Sequence, residues 1–199
     1  MCAIDEGLIK FECDWRPGAG PDPSAIAEIG RWRARCFEMG WVGVTPEGIS
    51  FGNLSTRIGD TCCFWVTGTG TGCLAKLSPL HYARVVASDS ERNHLACVGP
   101  VRASSESMTH AVIYASLPTA RAVIHIHCAK LWRSCVHRIP TTPDDIPYGT
   151  PEMCRAIATL APEANGGIIA MGGHQDGLIA FGTTADEAGE RLIELTTAI

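Results

Sequence analysis

The segment Ala122-Val123-Ile124-His125-Ile126-His127 constrains the fold more than any other stretch. Its four apolar residues read as a buried β-strand. Side chains alternate across a strand, so Val123, His125 and His127 face one way and Ile124 and Ile126 the other. Two imidazoles then share one face of an apolar strand. Buried without partners they would be costly. Two arrangements relieve that cost: hydrogen bonds to backbone or carboxylate groups, or shared ligation of a divalent metal, for which neutral imidazole is a good donor. The strand alone leaves both open. Cys128 follows directly and would face away from the histidine pair.

The rest of the chain supplies enough apolar material to bury such a strand. Of 199 residues 46% are hydrophobic, which suits a compact α/β core. A formal charge of -5 with scattered basic residues gives no reason to expect nucleic acid or an anionic membrane as partner. No apolar run is long enough to span a bilayer. The N-terminal MCAIDEGLIKFECDW carries early acids and no long apolar stretch, so it does not read as a signal peptide. A cytoplasmic protein is therefore expected. Its ten cysteines contain no C-x-x-C pair and are expected as small buried hydrophobes, not as a disulfide framework.

In chain order, residues 7–15 alternate as a short strand, and residues 16–24 form a Pro/Gly-rich linker. Ser24 is placed to cap a helix running to about Met39, with Ile26, Ile29, Trp32, Arg33 and Cys36 at helical spacing. Residues 48–72 read as two strands around Gly59-Asp60, the first interrupted at Gly52-Asn53 as by a bulge or a close backbone approach. They end in Thr67-Gly68-Thr69-Gly70-Thr71-Gly72, a loop that is either a plain turn or a cradle of N–H groups for an oxyanion. Leu77 to Asp89 reads as a helix with Pro79 in its first turn, and Glu91 to Val98 as a strand. Ser104 or Ser105 is expected to cap the next helix, with Glu106 in its first turn and His110 one turn on. Glu106 is either a surface acid favoured by the helix dipole or a base beside a metal. Residues 129–138 suggest a short helix, and residues 139–149 a proline-rich loop carrying Asp144, Asp145 and Tyr148 that could wall a site. A helix from Pro151 to about Leu160 and two strands around a corner holding His174, Gln175 and Asp176 follow. The last helix opens with Thr184-Ala185-Asp186-Glu187 as a capping box.

The ordered series Gly52-Asn53-Leu54-Ser55, a Thr/Gly loop, Ser104-Ser105-Glu106, His-x-His, and a distant Gly-Gly-His before Gly177-Leu178-Ile179 resembles the class II aldolase/adducin superfamily. That group includes fuculose-phosphate aldolase, ribulose-phosphate 4-epimerase and methylthioribulose-phosphate dehydratase. The resemblance runs from about Arg31 to the C-terminus. It implies one domain over residues 1–199, with residues 1–23 as an N-terminal strand and linker. The implied fold is a three-layer α/β/α arrangement whose central, mostly antiparallel sheet is flanked by helices.

By resemblance, His125, His127 and His174 would bind a divalent ion, zinc before Mn2+, Co2+ or Fe2+. Glu106 would approach the metal and serve as proton-transfer base. Gly52, Asn53, Thr69, Gly70, Ser104 and Ser105 would hold a substrate phosphate. The implied activity is that of a metal-dependent lyase or isomerase, cleaving a small phosphorylated sugar-like compound by way of an enediolate. Alternatives are a decarboxylase of a non-phosphorylated acid and a non-catalytic adducin-like module. A homotetramer is expected from the same likeness.

The chain also departs from the pattern. Its loop carries an apparent extra residue, and Gln175 and Asp176 separate His174 from the following glycine. With only Tyr82, Tyr114 and Tyr148 present, Tyr148 becomes the candidate proton donor in place of a tail tyrosine.

Overall fold

The computed structural model describes residues 9–164 and 167–197. Strand β1 (Glu12–Arg16) leads through a linker to α1 (Ala27–Glu38). A two-stranded ribbon of β2 (Gly43–Val44) and β3 (Ser50–Phe51) precedes β4 (Asn53–Arg57) and β5 (Phe64–Thr67). Then come β6 (Tyr82–Asp89), β7 (His94–Val98), α2 (Ser107–Ser116), β8 (Ala122–His127) and α3 (Ala129–Cys135). The chain continues with α4 (Pro151–Leu160), β9 (Ile168–Ala170), β10 (Gly177–Gly182) and α5 (Ala185–Thr197).

Eight strands make one sheet in the order β1-β7-β6-β5-β4-β8-β10-β9. Every pairing in it is antiparallel except β1 with β7. The alternation of β8 divides the core in two. Val123 joins α2 and α4 residues such as Met108, Ile113, Met153 and Ile157 on one face. Ile124 and Ile126 join Ile29, Trp32, Leu131 and Leu192 from α1, α3 and α5 on the other. The result is the helix–sheet–helix layering expected from the family resemblance.

Several local expectations are corrected. Residues 77–89 are not a helix: a single 3-10 turn at Pro79–His81 gives way to β6. Pairing with β5 and β7 on both sides, and burial of Tyr82, Ala83 and Val85, override the helix-like spacing of its apolar residues. The first strand begins later and ends one residue later than expected, and Gly7 and Leu8 lie outside the described residues, as does Gly166. Asp22, not Ser24, caps the first turn, accepting the Ser24 N–H at 2.8 Å. Of the two readings of the interruption at Gly52, the close approach holds and the bulge does not: β3 pairs with β2, β4 enters the main sheet, and Gly52 lies against Trp41 and Val42. Gly52 has φ +72°, and a Cβ there would lie 2.4 Å from Val42, so only glycine makes this corner. Half of the capping box forms as expected, Thr184 Oγ1 accepting from the Glu187 N–H, while the Glu187 carboxylate accepts from Thr183, one residue before the expected partner. Of the nine described cysteines four are buried, and Cys13 and Cys128 pack partly buried against the core, whereas Cys62 and Cys73 are exposed. No described helix is long and apolar enough to cross a membrane.

Candidate active site

Three segments converge at the end of β8. The strand carries His125 and His127, with 3.1 Å between their Nε2 atoms. The corner between β9 and β10 delivers His174, whose ring lies parallel to that of His125 at 5.4 Å and edge-on to that of His127 at 4.7 Å. The two residues inserted before Gly177 are absorbed by a tight turn: Asp176 adopts φ +67°, and the Gly177 N–H donates to the His174 carbonyl at 3.0 Å. A Cβ on Gly177 would lie 2.9 Å from both the His174 ring and its carbonyl oxygen, and 3.3 Å from the His125 ring. Glycine at that position is what lets His174 fold onto the strand, a role the sequence reading missed.

The third segment is the approach to α2. Ser104 and Ser105 do not cap it. Glu106 occupies the cap position without making a side-chain cap bond, and the Ser104 carbonyl takes the Ser107 N–H to close a turn before the helix. The Glu106 carboxylate is thereby directed inward. Its Oε2 accepts from Thr109 Oγ1 at 3.1 Å, and its Oε1 lies 3.6 Å from His174 Nε2. Both side chains are almost fully buried.

Tyr148, from the proline-rich loop, places its ring 4.3 Å from that of His174. Lys10 Nζ sits 3.9 Å from the centre of the tyrosine ring on its way out of the N-terminal segment. Asn93 Nδ2 clamps the two segments together, donating to the carbonyls of Lys10 and Gly149. Lys10 was not among the residues singled out from the sequence, and nothing local to it would have done so.

Burial keeps the imidazoles neutral. It pushes His125 down to about 4, opposed by the hydrogen bond to the Leu178 carbonyl, and it drives His127 and His174 well below the usual histidine range, helped by the neighbouring rings. Leu178 O lies 3.1 Å from His125 Nδ1. With the proton held there, the Nε2 lone pair faces the cluster, the arrangement common for a metal-binding histidine. One ligating atom from each of His125, His127 and His174 lies within 4.8 Å of the others. Three neutral nitrogens at this spacing fit a divalent cation and leave coordination positions open. Cys128 packs on the opposite core and takes no part.

The six residues expected to hold phosphate all line one adjoining pocket: Gly52, Asn53, Thr69, Gly70, Ser104 and Ser105. Sheet register joins it to the histidines, since Asn53 lies directly across from His125. The ring of Phe51 stands 5.7 Å from that of His127 at the shared border. His110 lies behind the site, its Nδ1 2.7 Å from Ser55 Oγ, which is in turn 2.8 Å from Tyr114 Oη. Asp144 lies on the surface beside His137.

The family model for the Class II Aldolase and Adducin N-terminal domain matches residues 37–199. Among solved structures, YgbL from Klebsiella pneumoniae, for which aldolase, epimerase and decarboxylase activities are all put forward, superposes with a TM-score of 0.66 at 21% identity, covering 87% of this chain and 86% of that one. A sugar-phosphate aldolase from Thermotoga maritima gives 0.67 at 16% identity, over 88% and 91% of the two chains. An L-fuculose-1-phosphate aldolase from Thermus thermophilus gives 0.58 at 19%, over 87% and 91%. At these identities the likeness establishes the fold alone. No curated relative matches the chain by sequence.

Proposed function

Because the chain belongs to the class II aldolase and adducin family, we propose that it is a divalent-metal lyase or isomerase acting on a small phosphorylated, sugar-like compound. One observation carries the reading: three neutral imidazoles with nitrogens within 4.8 Å of one another, and a buried carboxylate 3.6 Å from the third. His125, His127 and His174 would hold the ion, zinc before Mn2+, Co2+ or Fe2+. Bound there, it would supply the Lewis acidity that polarises a substrate carbonyl.

The chain's own residues take the remaining roles. Glu106 moves the proton at the carbon beside that carbonyl. Thr109 fixes one carboxylate oxygen, so the other is oriented toward the histidines. Tyr148, packed on His174 in the wall of the site, protonates the leaving group. Gly52, Asn53, Thr69, Gly70, Ser104 and Ser105 receive the phosphate, and the fixed register between Asn53 and His125 orients the substrate between pocket and metal. Residues 1–199 form one such domain, working as a cytoplasmic homotetramer.

The test combines metal content with turnover. Protein purified without chelator and then reconstituted should carry about one divalent ion per chain. On a panel of sugar phosphates and hydroxy-keto acids, Glu106→Gln should lower turnover by roughly 10²- to 10⁴-fold. Absence of bound ion would sink the proposal in favour of a non-catalytic module. Turnover confined to non-phosphorylated acids would make the protein a decarboxylase, an activity also put forward for YgbL.

A further inference from the structure

The Gly/Thr loop is held from beneath by Arg33, a residue outside the pocket and the histidine cluster. Arg33 lies on α1 in the apolar stripe with Ile29, Trp32 and Cys36, and it is 2% exposed. Its Nη2 donates to the main-chain oxygens of Thr71 at 3.1 Å, Gly72 at 3.4 Å and Leu74 at 3.1 Å. Among the described residues no carboxylate pairs with it, and its Nη1 meets no acceptor. A buried guanidinium without a counter-charge is expensive and would be replaced readily by an apolar residue if packing were its only task.

The geometry of the loop suggests that task. A trans peptide holds its C=O and N–H antiparallel. Drawing the carbonyls of Thr71 and Gly72 down to Arg33 therefore turns the N–H groups of Gly72 and Cys73 away from it. The Gly72 N–H does reach Ser50 Oγ, at 3.2 Å, within the pocket lining. Thr71 Oγ1 donates to the Gly68 carbonyl at 2.8 Å and closes the turn. Among the described residues the N–H groups of Gly70 and Thr71 meet no protein acceptor.

We infer that Arg33 is the positioning residue of the anion pocket, pinning residues 71–74 by their carbonyls and lending the substrate phosphate a positive charge that no protein carboxylate neutralises. The inference rests on reading that pocket as the phosphate site. Arg33 touches no substrate atom; it acts through the loop and through its field.

The test is calorimetric titration of the zinc-loaded full chain with inorganic phosphate at fixed ionic strength, for wild type, Arg33→Met, Arg33→Lys and Ser105→Leu. Circular dichroism and zinc stoichiometry accompany each variant. Arg33→Met should weaken phosphate about tenfold or more while zinc content stays at the wild-type level. Arg33→Lys, which keeps the charge and loses the fork, should recover part of that loss. If Ser105→Leu loses phosphate but Arg33→Met binds it within about twofold of wild type, the inference fails and the pocket stands. If Arg33→Met does not fold, Arg33→Lys decides, and an unchanged phosphate affinity overturns the inference. Phosphate binding that survives Ser105→Leu, or is missing from wild type, overturns the pocket assignment itself and the role of Arg33 with it.

Discussion

Acidification of the metal-free protein should unfold it earlier than its carboxylates alone would require, and His110 offers a clean way to measure why. The ring is fully buried on α2, bonded to Ser55. Burial, and then the neighbouring His125, push it from 6.5 down to about 3. Between those values the unfolded chain takes up a proton that the folded protein refuses. The stabilisation from this group is complete above pH 6.5 and drains away as the pH falls toward 3, at about 1.4 kcal/mol per pH unit. From pH 6.5 to 4.5 His110 alone should remove about 2 kcal/mol. His125 behaves the same way until about pH 4, and His127 and His174 act in the same direction. The lowered carboxylates Glu187 and Asp22 begin to act near their ordinary values of 4.5 and 3.8, at or below the foot of this window, and equally in wild type and variant, so they cancel from the comparison. The assay is urea unfolding followed by tryptophan fluorescence in the presence of chelator, at the two pH values, for wild type and His110→Gln. Glutamine stays neutral and can still bond Ser55. Wild type should lose about 2 kcal/mol more than the variant over the interval. Equal losses would refute the claim that the folded protein keeps His110 unprotonated.

Three further outcomes follow from the same geometry. Tyr148→Phe keeps the ring on His174 and removes only the hydroxyl, so metal content should hold while turnover falls about 10²-fold, read by steady-state kinetics. Gly189→Ala should destabilise by about 1–3 kcal/mol despite alanine's better helix propensity, because the new Cβ would lie 2.3 Å from carbons of the Trp32 indole. That indole cannot easily yield, as its Nε1 donates to Asp186 at 2.7 Å; thermal melts of the variant check the result. Zinc affinity should hold as the pH drops through 6.5 and fall only toward about pH 4, where His125 begins to take up a proton, because burial keeps the three histidines neutral until then; titration against a chelator of known affinity would show it.

The site was easier to read in the sequence than the elements that carry it. Period-two alternation puts His125 and His127 on one face whatever the neighbouring strands do, and the structure keeps them there. His174 was legible only through an ordered motif series, because nothing local says which glycine-rich corner will fold back onto β8. Residues 82–89 were misread for a physical reason: their apolar residues satisfy helical spacing, and only pairing with β5 and β7 decides otherwise. Ser104 and Ser105 look like helix caps because they precede a good helix, yet a turn is interposed and Glu106 takes the cap position. Arg33 carried a signal that was visible but unused, a charged residue inside an apolar helical stripe. Lys10 carried none, since its place beside Tyr148 depends on the parallel pairing of β1 with the distant β7, as between Glu12 and His94.

The opposition of Asn53 and His125 gives the protein a gauge of molecular length. Both residues belong to interior strands, and His125 is also matched on its other side by Ile179. Adjacent strands stand about 4.8 Å apart. At Asn53 and His125 the span from the proposed anion pocket to the nitrogen cluster is therefore set by hydrogen-bonded backbone, with the loops carrying Thr69, Gly70, Ser104 and Ser105 closing the pocket around it. On the proposed reading, a reactant is admitted by the number of atoms between its anionic end and its reacting carbon. Insertions in the surrounding loops could change which side groups fit, or which bond breaks, without touching that interval. The interval itself cannot drift gradually, because slipping β8 by one residue would turn both histidines to the opposite face.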